Sequence, residues 1–367
     1  MVEDRCKPNS NAYAYLKKYS ALCERECIQF EGDKCKILES ACPVCFNRAR
    51  HCPDDAVIVI NLPEELDSEM THCYGENGFR LFRLPAPRQE QVVGILGPNG
   101  MGKSTAVNLL SGSIKPNLGD WRNDSPDWDE VIQTFPRGEL RDYLALLSEE
   151  GVTIAVKPQY IDRLPKIFEG EVRELLERVD DRGEIVRYSE SLGIEHILSR
   201  KLGSLSGGEL QRVALCATLL KEADVYFFDE PSSYLDIYER MRMVGIIQDL
   251  SSNGKRVLVV EHDLAILDVL CDLLHVLYGE RAGYGIFTPP RTTRTAINAY
   301  LDGYLPEENV RIRDKPIKFV RGRTRGEDIG LPILKWGDME KKMGDFHLTT
   351  GQGQVGSAEV IGVVGPN

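Results

Sequence analysis

Gly97-Pro98-Asn99-Gly100-Met101-Gly102-Lys103-Ser104 fits G-x-x-x-x-G-K-S/T, the glycine-rich loop that cradles phosphates. Its flanks supply the context such a loop needs. The apolar run Val92–Leu96 predicts a strand ahead of it, and Ser104–Ser111 predicts a helix behind it. Backbone N–H groups of such a loop wrap the β-phosphate, helped by the positive end of the following helix. Lys103 is then placed to bridge the β- and γ-phosphates and Ser104 to ligate Mg2+, while Gly97, Asn99, Gly100, Gly102 and Thr105 line the nucleotide.

Four further motifs follow in order. The buried-strand pattern Val225–Phe228 ends in Asp229-Glu230, which suits Asp229 to a water-mediated role at Mg2+ and Glu230 to polarising an attacking water as general base. Ser206-Gly207-Gly208-Glu209 reads as a helix capping box, with Leu210, Val213, Ala214 and Ala217 at helical spacing behind it. The same exposed, glycine-lined helix start is also an anion site, fit to grip the γ-phosphate of a nucleotide held by a facing domain. His262 follows the strand Val257–Val260, where a γ-phosphate sensor would lie, and Gln159 stands between the loop and Ser206 as a further catalytic and magnesium candidate. Taken singly, these motifs also read as a glycine-rich turn, solvated acids, a helix start and a structural histidine. Their order along one chain favours the nucleotide.

Alternating strand-like and helical stretches argue for an α/β fold with a mostly parallel sheet flanked by helices. Residues 120–150 read as helix, turn, helix, either an insertion or an ordinary pair of surface helices. At the far end, Ile361-Gly362-Val363-Val364-Gly365-Pro366-Asn367 repeats Val93-Gly94-Ile95-Leu96-Gly97-Pro98-Asn99. The expected domains are a cysteine-rich segment 1–72 ending in a strand at Ala56–Ile60, a nucleotide-binding domain 73–305 with its insertion at about 122–150, a basic hinge 306–330, and the start of a second nucleotide-binding domain 331–367.

The chain has 367 residues, 42% of them apolar and 28% charged, as in ordinary globular proteins. No uncharged apolar run reaches the roughly 18 residues of a membrane span, and Met1-Val2-Glu3-Asp4-Arg5 lacks the apolar core of a signal peptide, so a cytoplasmic protein is expected. A net charge of −12 argues against a generic nucleic-acid coat. One local exception is 311–325, where Arg311, Arg313, Lys315, Lys318, Arg321, Arg323 and Arg325 face a single acid, Asp314. Eight of the ten cysteines fall within residues 6–73, a cluster that in a cytosolic chain suggests metal or iron–sulfur ligation.

The order of these motifs resembles the ATP-binding-cassette ATPases. Leu205–Gln211 looks like their signature, Gln159 their Q-loop, Ser232-Ser233-Tyr234-Leu235-Asp236 their D-loop and His262 their switch histidine. The chain is more similar still to the RNase L inhibitor family, the class E soluble cassette ATPases that recycle ribosomes. Thr71-His72 through Phe79, Arg83-Leu84-Pro85, Pro126-Asp127-Trp128, Lys157-Pro158-Gln159-Tyr160, Asp229 through Asp236, Val260-Glu261-His262-Asp263 and Leu301-Asp302-Gly303-Tyr304 carry that likeness. The resemblance implies a small α+β ferredoxin-like domain before the cassette, two cassettes joined by a hinge that touches ribosomal RNA, and adenine stacking on Tyr74 or Phe79. It implies ATP-driven closure that splits ribosomal subunits after a release factor or its Pelota relative has bound. It also implies that the enzyme can remain on the small subunit and link to initiation, with initiation factors as possible partners.

Two departures qualify it. The family's second cysteine set resembles C-x2-C-x2-C-x3-C-P, each set serving a 4Fe–4S cluster. Here it reads Cys42, Cys45, Arg48, Cys52, Pro53, and in the first set Glu31 stands where a cysteine belongs, Cys6 lies 17 residues ahead of Cys23, and Cys35 is extra. Cys23, Cys27, Cys42, Cys45 and Cys52 remain the iron–sulfur candidates, with two clusters, one cluster or another metal, and no cluster as the alternatives. The second departure is that Asn367 precedes any second lysine. The chain alone is expected to bind ATP and hydrolyse it poorly, as a fragment or by pairing with another copy. An ATP-driven ribosome-splitting ATPase is the leading expectation. A ribosome occupancy or dormancy factor without productive ATPase activity is the alternative, and a redox-sensing iron–sulfur protein a third.

Overall fold

The apolar runs that bracket the phosphate loop are strands of one sheet, and their side chains alternate between two cores. A computed structural model of the chain describes residues 6–20, 27–31, 34–37, 52–53, 56–57, 69–122, 126–318, 332–344, 346–357, 361–362 and 365. It divides into two units, Met1–Pro316 and Ile317–Asn367.

In the first unit, helix α1 (Asn11–Ser20) lies beside a hairpin of β1 (Ile28–Glu31) and β2 (Lys34–Ile37), with Tyr13 edge-on to Phe30 at 5.1 Å. Ala12, Leu16, Cys6, Cys35, Cys52 and Ala56 share a small core there. Residues 58–60 of the expected strand Ala56–Ile60 lie outside the described residues.

A nine-stranded sheet follows, built from β3 (Met70–Cys73), β4 (Arg80–Phe82), β5 (Val92–Leu96), β6 (Ile154–Lys157), β7 (Val225–Asp229), β8 (Arg256–Val260), β9 (Leu273–Glu280), β10 (Tyr284–Phe287) and β11 (Arg291–Thr292). Along the sheet the order is β3-β4-β10-β9-β5-β8-β7-β6, with β11 paired to β9. From β9 to β6 the neighbours run parallel, whereas β10 is antiparallel to β9 and β3 to β4. Because side chains alternate along a strand, Val92, Tyr226, Phe228, Val257 and Val259 enter one core while Val93, Ile95, Val225, Phe227, Leu258 and Val260 enter the other. Both faces are therefore covered, as a parallel sheet requires.

One face carries α2 (Lys103–Leu110), α3 (Trp128–Thr134) and α4 (Glu139–Ser148), the last two being the helix–turn–helix of the sequence. Tyr143 of α4 is buried and donates to the Leu110 carbonyl at 2.5 Å, which fixes the pair against the loop helix. The other face carries α5 (Val172–Val179), α6 (Ile185–Ser191), α7 (Gly207–Leu219), α8 (Ile237–Ser252), α9 (Leu264–Leu270) and α10 (Thr293–Asp302).

Two boundaries differ from the sequence expectation. Strand β3 starts at Met70, inside the segment taken as 1–72, because its residues 71–73 are buried in the sheet. The stretch taken as a hinge from 306 is folded as far as Pro316. Strands β12 (Tyr304–Leu305) and β13 (Val310–Arg311) pair there, Arg313 lies over the Tyr300 ring at 5.1 Å, and Glu308 takes hydrogen bonds from Arg83 and Tyr278. The second unit shows two antiparallel pairs, β14 (Pro332–Trp336) with β17 (Gly353–Gly356) and β15 (Met339–Met343) with β16 (Phe346–Thr350).

His275 on β9 supplies a stability test. It is buried, and a ring N–H at Nδ1 donates to the Thr288 carbonyl at 2.8 Å. Burial lowers its pKa from 6.5 to about 4, with the Arg88 charge adding to the shift. The folded chain therefore binds this proton less readily than the unfolded chain, so stability is complete above pH 6.5 and falls as the pH drops towards 4. The loss is expected to approach about 3 kcal/mol. Denaturant unfolding of the protein and of His275→Gln at several pH values checks this. The variant should lose the part of the acid dependence that lies in that window.

Candidate functional site

Four neighbouring parallel strands end on one edge of the sheet, and each ends in a residue singled out by sequence. The phosphate loop leaves β5, Gln159 follows β6, Asp229 and Glu230 close β7, and His262 follows β8. Carboxyl ends of parallel strands are where open α/β sheets bind ligands, since the chain there turns from strand to helix and leaves loops and amides facing outward.

The loop is shaped by glycine. Gly100 and Gly102 have φ of 82° and 99°, and a Cβ on Gly102 would come within 2.6 Å of the Phe79 ring. Gly102 is the N-cap of α2 and no side chain caps that helix, so its first N–H groups face the loop. Lys103 is buried, and its ammonium donates to Gly97 O at 2.7 Å, Asn99 Oδ1 at 3.0 Å and His262 Nε2 at 2.8 Å. All three of its protons are thereby directed. Burial pushes its pKa down to about 8, against the pull of Glu230, Asp229 and Glu261.

Since the ammonium donates to His262 Nε2, that nitrogen is the acceptor and the ring proton sits on Nδ1. Burial first, and then the Lys103 charge, hold His262 below its ordinary pKa. Its 3.4 Å approach to Glu230 Oε1 is therefore a contact of a neutral ring, and not an ion pair. Glu230 Oε1 also accepts from Gln159 Nε2 at 2.7 Å, and Glu230 Oε2 from Ser233 Oγ at 3.4 Å. The acid, the glutamine, the histidine and the loop lysine thus form one connected group.

Asp229 is a strand residue whose pKa is pushed up to about 6, chiefly by burial and then by the neighbouring Glu230 charge. A half-buried hard-oxygen donor raised in this way gains from a divalent cation, and Ser104, exposed in the first turn of α2, is a second oxygen donor of the same kind. These residues fit Mg2+.

Tyr74 and Phe79 flank the loop. Tyr74 is 52% exposed and its hydroxyl donates to Thr105 Oγ1 at 3.4 Å, whereas Phe79 packs on Gly102 and the core behind it. Ser206 is the N-cap of α7, and its capping box is present: Glu209 N donates to Ser206 Oγ at 3.3 Å and Ser206 N to Glu209 Oε2 at 2.8 Å. Arg200 adds a bond to Glu209 at 2.8 Å. Ser206 and Gly207 are exposed, and among the described residues no hydrogen bond joins Ser206, Gly207 or Gly208 to the Lys103 group.

Three residues given no role by sequence complete the site. Glu261 is buried and accepts from the backbone N–H of His262 at 2.8 Å, Asp263 at 3.3 Å and Ser232 at 3.3 Å, so it ties the end of β8 to the turn after Glu230. Lys157 and Gln211 both reach the Glu230 carbonyl. The motif strings contain all three, but the partners of Lys157 and Gln211, and Ser232 for Glu261, lie far along the chain.

Of the iron–sulfur candidates, Cys27 and Cys52 are buried. Cys23, Cys42 and Cys45 lie outside the described residues, as does Arg48. Among the described residues, no group of three or more His, Cys, Asp or Glu side chains is placed to hold a metal ion.

The loop geometry makes a direct prediction. Gly102→Ala places a Cβ against Phe79 at a backbone φ that side-chain-bearing residues avoid. It should cost about 1–3 kcal/mol of unfolding free energy and weaken nucleotide binding together. Denaturant unfolding and a nucleotide titration check it. An unchanged midpoint with unchanged binding would contradict the described loop.

Residues 87–233 match the ABC transporter family model. Over 386 residues the chain is 38% identical to the yeast (Saccharomyces cerevisiae) translation initiation factor RLI1, covering 99% of this chain and 62% of that protein. A solved structure of ribosome-bound archaeal Pelota and ABCE1 superposes with a TM-score of 0.93 at 44% identity, covering 100% of this chain and 62% of the other. The solved RNase-L Inhibitor superposes with a TM-score of 0.75 at 47% identity, covering 82% and 58%. The chain thus spans about three fifths of the length of the curated relatives it matches. Matched in sequence from end to end and in overall fold, the chain belongs to the RNase L inhibitor family, class E of the ATP-binding-cassette proteins.

Proposed function

We propose that this chain supplies the first nucleotide site of an ATP-driven ribosome-recycling enzyme. The observation that carries the reading is the connected group Lys103–His262–Glu230–Gln159 at the ends of four parallel strands. The loop amides and Lys103 bind the β- and γ-phosphates, and Tyr74, the more exposed of the two candidate rings, stacks on adenine. Ser104, Asp229 and the side-chain oxygen of Gln159 would hold Mg2+, which would supply positive charge to offset that of the phosphates. Glu230 takes a proton from the water that attacks the γ-phosphorus, and the bond to the β-phosphate oxygen breaks. As the γ-phosphate takes over the lysine, His262 is released from Nζ and senses that phosphate.

Ser206, the N-cap of α7, with Gly207, Gly208 and Glu209 of its first turn, would grip the nucleotide of a facing cassette. The repeat of the loop sequence at Ile361–Asn367 supports that facing cassette. Closure of the two then separates the ribosomal subunits. The names of the relatives support the ribosome and Pelota as partners and a link to translation initiation; a release factor and the cytoplasm follow from the family resemblance. Among the described residues no helix is long and apolar enough to cross a membrane. Arg311, Lys315 and Lys318 are exposed in the basic stretch and are described candidates for ribosomal RNA contact.

Ribosome co-sedimentation with and without a non-hydrolysable ATP analogue tests the reading. Nucleotide-dependent binding to the small subunit is expected. Nucleotide-independent binding would favour the occupancy or dormancy role, and absence of binding would contradict both. Glu230→Gln in the full-length protein should keep ATP binding, lower turnover by about a hundredfold or more and accumulate the closed state. Unchanged turnover would remove Glu230 as the base.

A further inference from the structure

Glu230 is held by its backbone as well as by its carboxylate. Its φ is 47°, in the left-handed region that glutamate rarely occupies. Such a conformation costs energy and persists only where the surroundings enforce it. Here the enforcing contacts converge on one atom. The Glu230 carbonyl accepts from Gln211 Nε2 at 3.0 Å, Lys157 Nζ at 3.2 Å and Ser233 N at 3.5 Å. On either side, Lys157 Nζ also donates to Asp229 O at 2.9 Å and Gln211 Nε2 to Pro231 O at 2.8 Å. Three successive carbonyls are thus clamped by two side chains from different elements.

Both side chains are placed there at a cost. Lys157 is fully buried, and burial pushes its pKa down to about 8 although Asp229, Glu230 and Glu261 all favour its charge. Gln211 is 1% exposed, and its Oε1 has no hydrogen-bond partner among the described residues. A buried acceptor left unpaired is unfavourable, and it is tolerated here in the orientation that points the amide N–H groups at the two carbonyls. A desolvated ammonium and an orphaned amide oxygen are poor ways to stabilise a core. They suit a demand for one peptide orientation.

Gln211 lies on α7, one turn from the Ser206–Gly208 start, so the clamp also joins the signature helix to the base. Building on the hydrolysis reading above, we infer that Lys157 and Gln211 are positioning residues that hold the Glu230 peptide in its left-handed conformation, and that Gln211 transmits movement of the signature helix to the Glu230 carboxylate. A nucleotide gripped at Ser206–Gly208 would then alter the base of this site through a single side chain.

The test uses the full-length protein with Lys157→Met, Gln211→Met and the double variant, each close in volume to the residue it replaces. Three quantities are read: the Kd for Mg–ATP, kcat for hydrolysis, and the unfolding midpoint. The expected result is a kcat reduced by about tenfold or more in each single variant, with Kd changed less than about twofold. Because the two side chains share one acceptor, the loss in the double variant should fall well short of the product of the single losses. Unchanged kcat in both single variants, a Kd that rises in step with the fall in kcat, or fully multiplicative losses would overturn the inference. If the wild-type protein binds Mg–ATP but shows no turnover at all, the hydrolysis reading fails and this inference falls with it. Normal wild-type turnover with unaffected variants sinks the clamp alone.

Discussion

A lysine ammonium buried inside a glycine-rich turn sets the terms for the site. Lys103 is desolvated, yet its three protons are met only by neutral acceptors: a carbonyl, an amide oxygen and an imidazole nitrogen. Buried charge of that kind is stabilised most by an anion, and a phosphate supplies one. The sheet exists in a form that makes this possible. Its central strands are parallel and covered on both faces, so every turn from strand to helix falls on the same edge and the loops can converge there. Alternation of Val92, Val93 and Ile95 between two cores pins β5 in register, and register places Lys103.

Charge is concentrated around that lysine. Lys103 and Lys157 are both lowered by burial, Asp229 is raised by it, and Glu230 and Glu261 lie in the same field. Lys103, Lys157 and Asp229 are each disfavoured by burial, and the set is held together by backbone contacts more than by ion pairs. Glu261 illustrates this, because its carboxylate is spent on three backbone N–H groups. The cost of such an arrangement is what a site built for a metal-bound, multiply charged ligand is expected to carry.

Much of this was legible in the sequence wherever the chemistry is local. Lys103, Ser104, Asp229, Glu230 and His262 each sit in a short motif beside an apolar run, and the runs became strands β5, β7 and β8. The capping box at Ser206 and Glu209 needs only three residues of spacing. What escaped are contacts across long separations. Lys157 meets the Asp229 carbonyl 72 residues away, and Gln211 looked like the last letter of a signature instead of a donor to the Glu230 peptide. The hinge boundary was misplaced for a related reason. A count of cations at 311–325 cannot show that Arg313 lies over Tyr300 and that Glu308 anchors the preceding turn to Arg83 and Tyr278.

The central claim is that Lys103 and its neighbouring amides hold the phosphates of a magnesium-bound nucleotide. Isothermal titration of Mg–ATP into the protein and into Lys103→Ala tests it most directly. The account predicts saturable binding at one site per first cassette, weakened by about tenfold or more in the variant. Equal affinity in the two proteins, or no heat of binding in either, would contradict it.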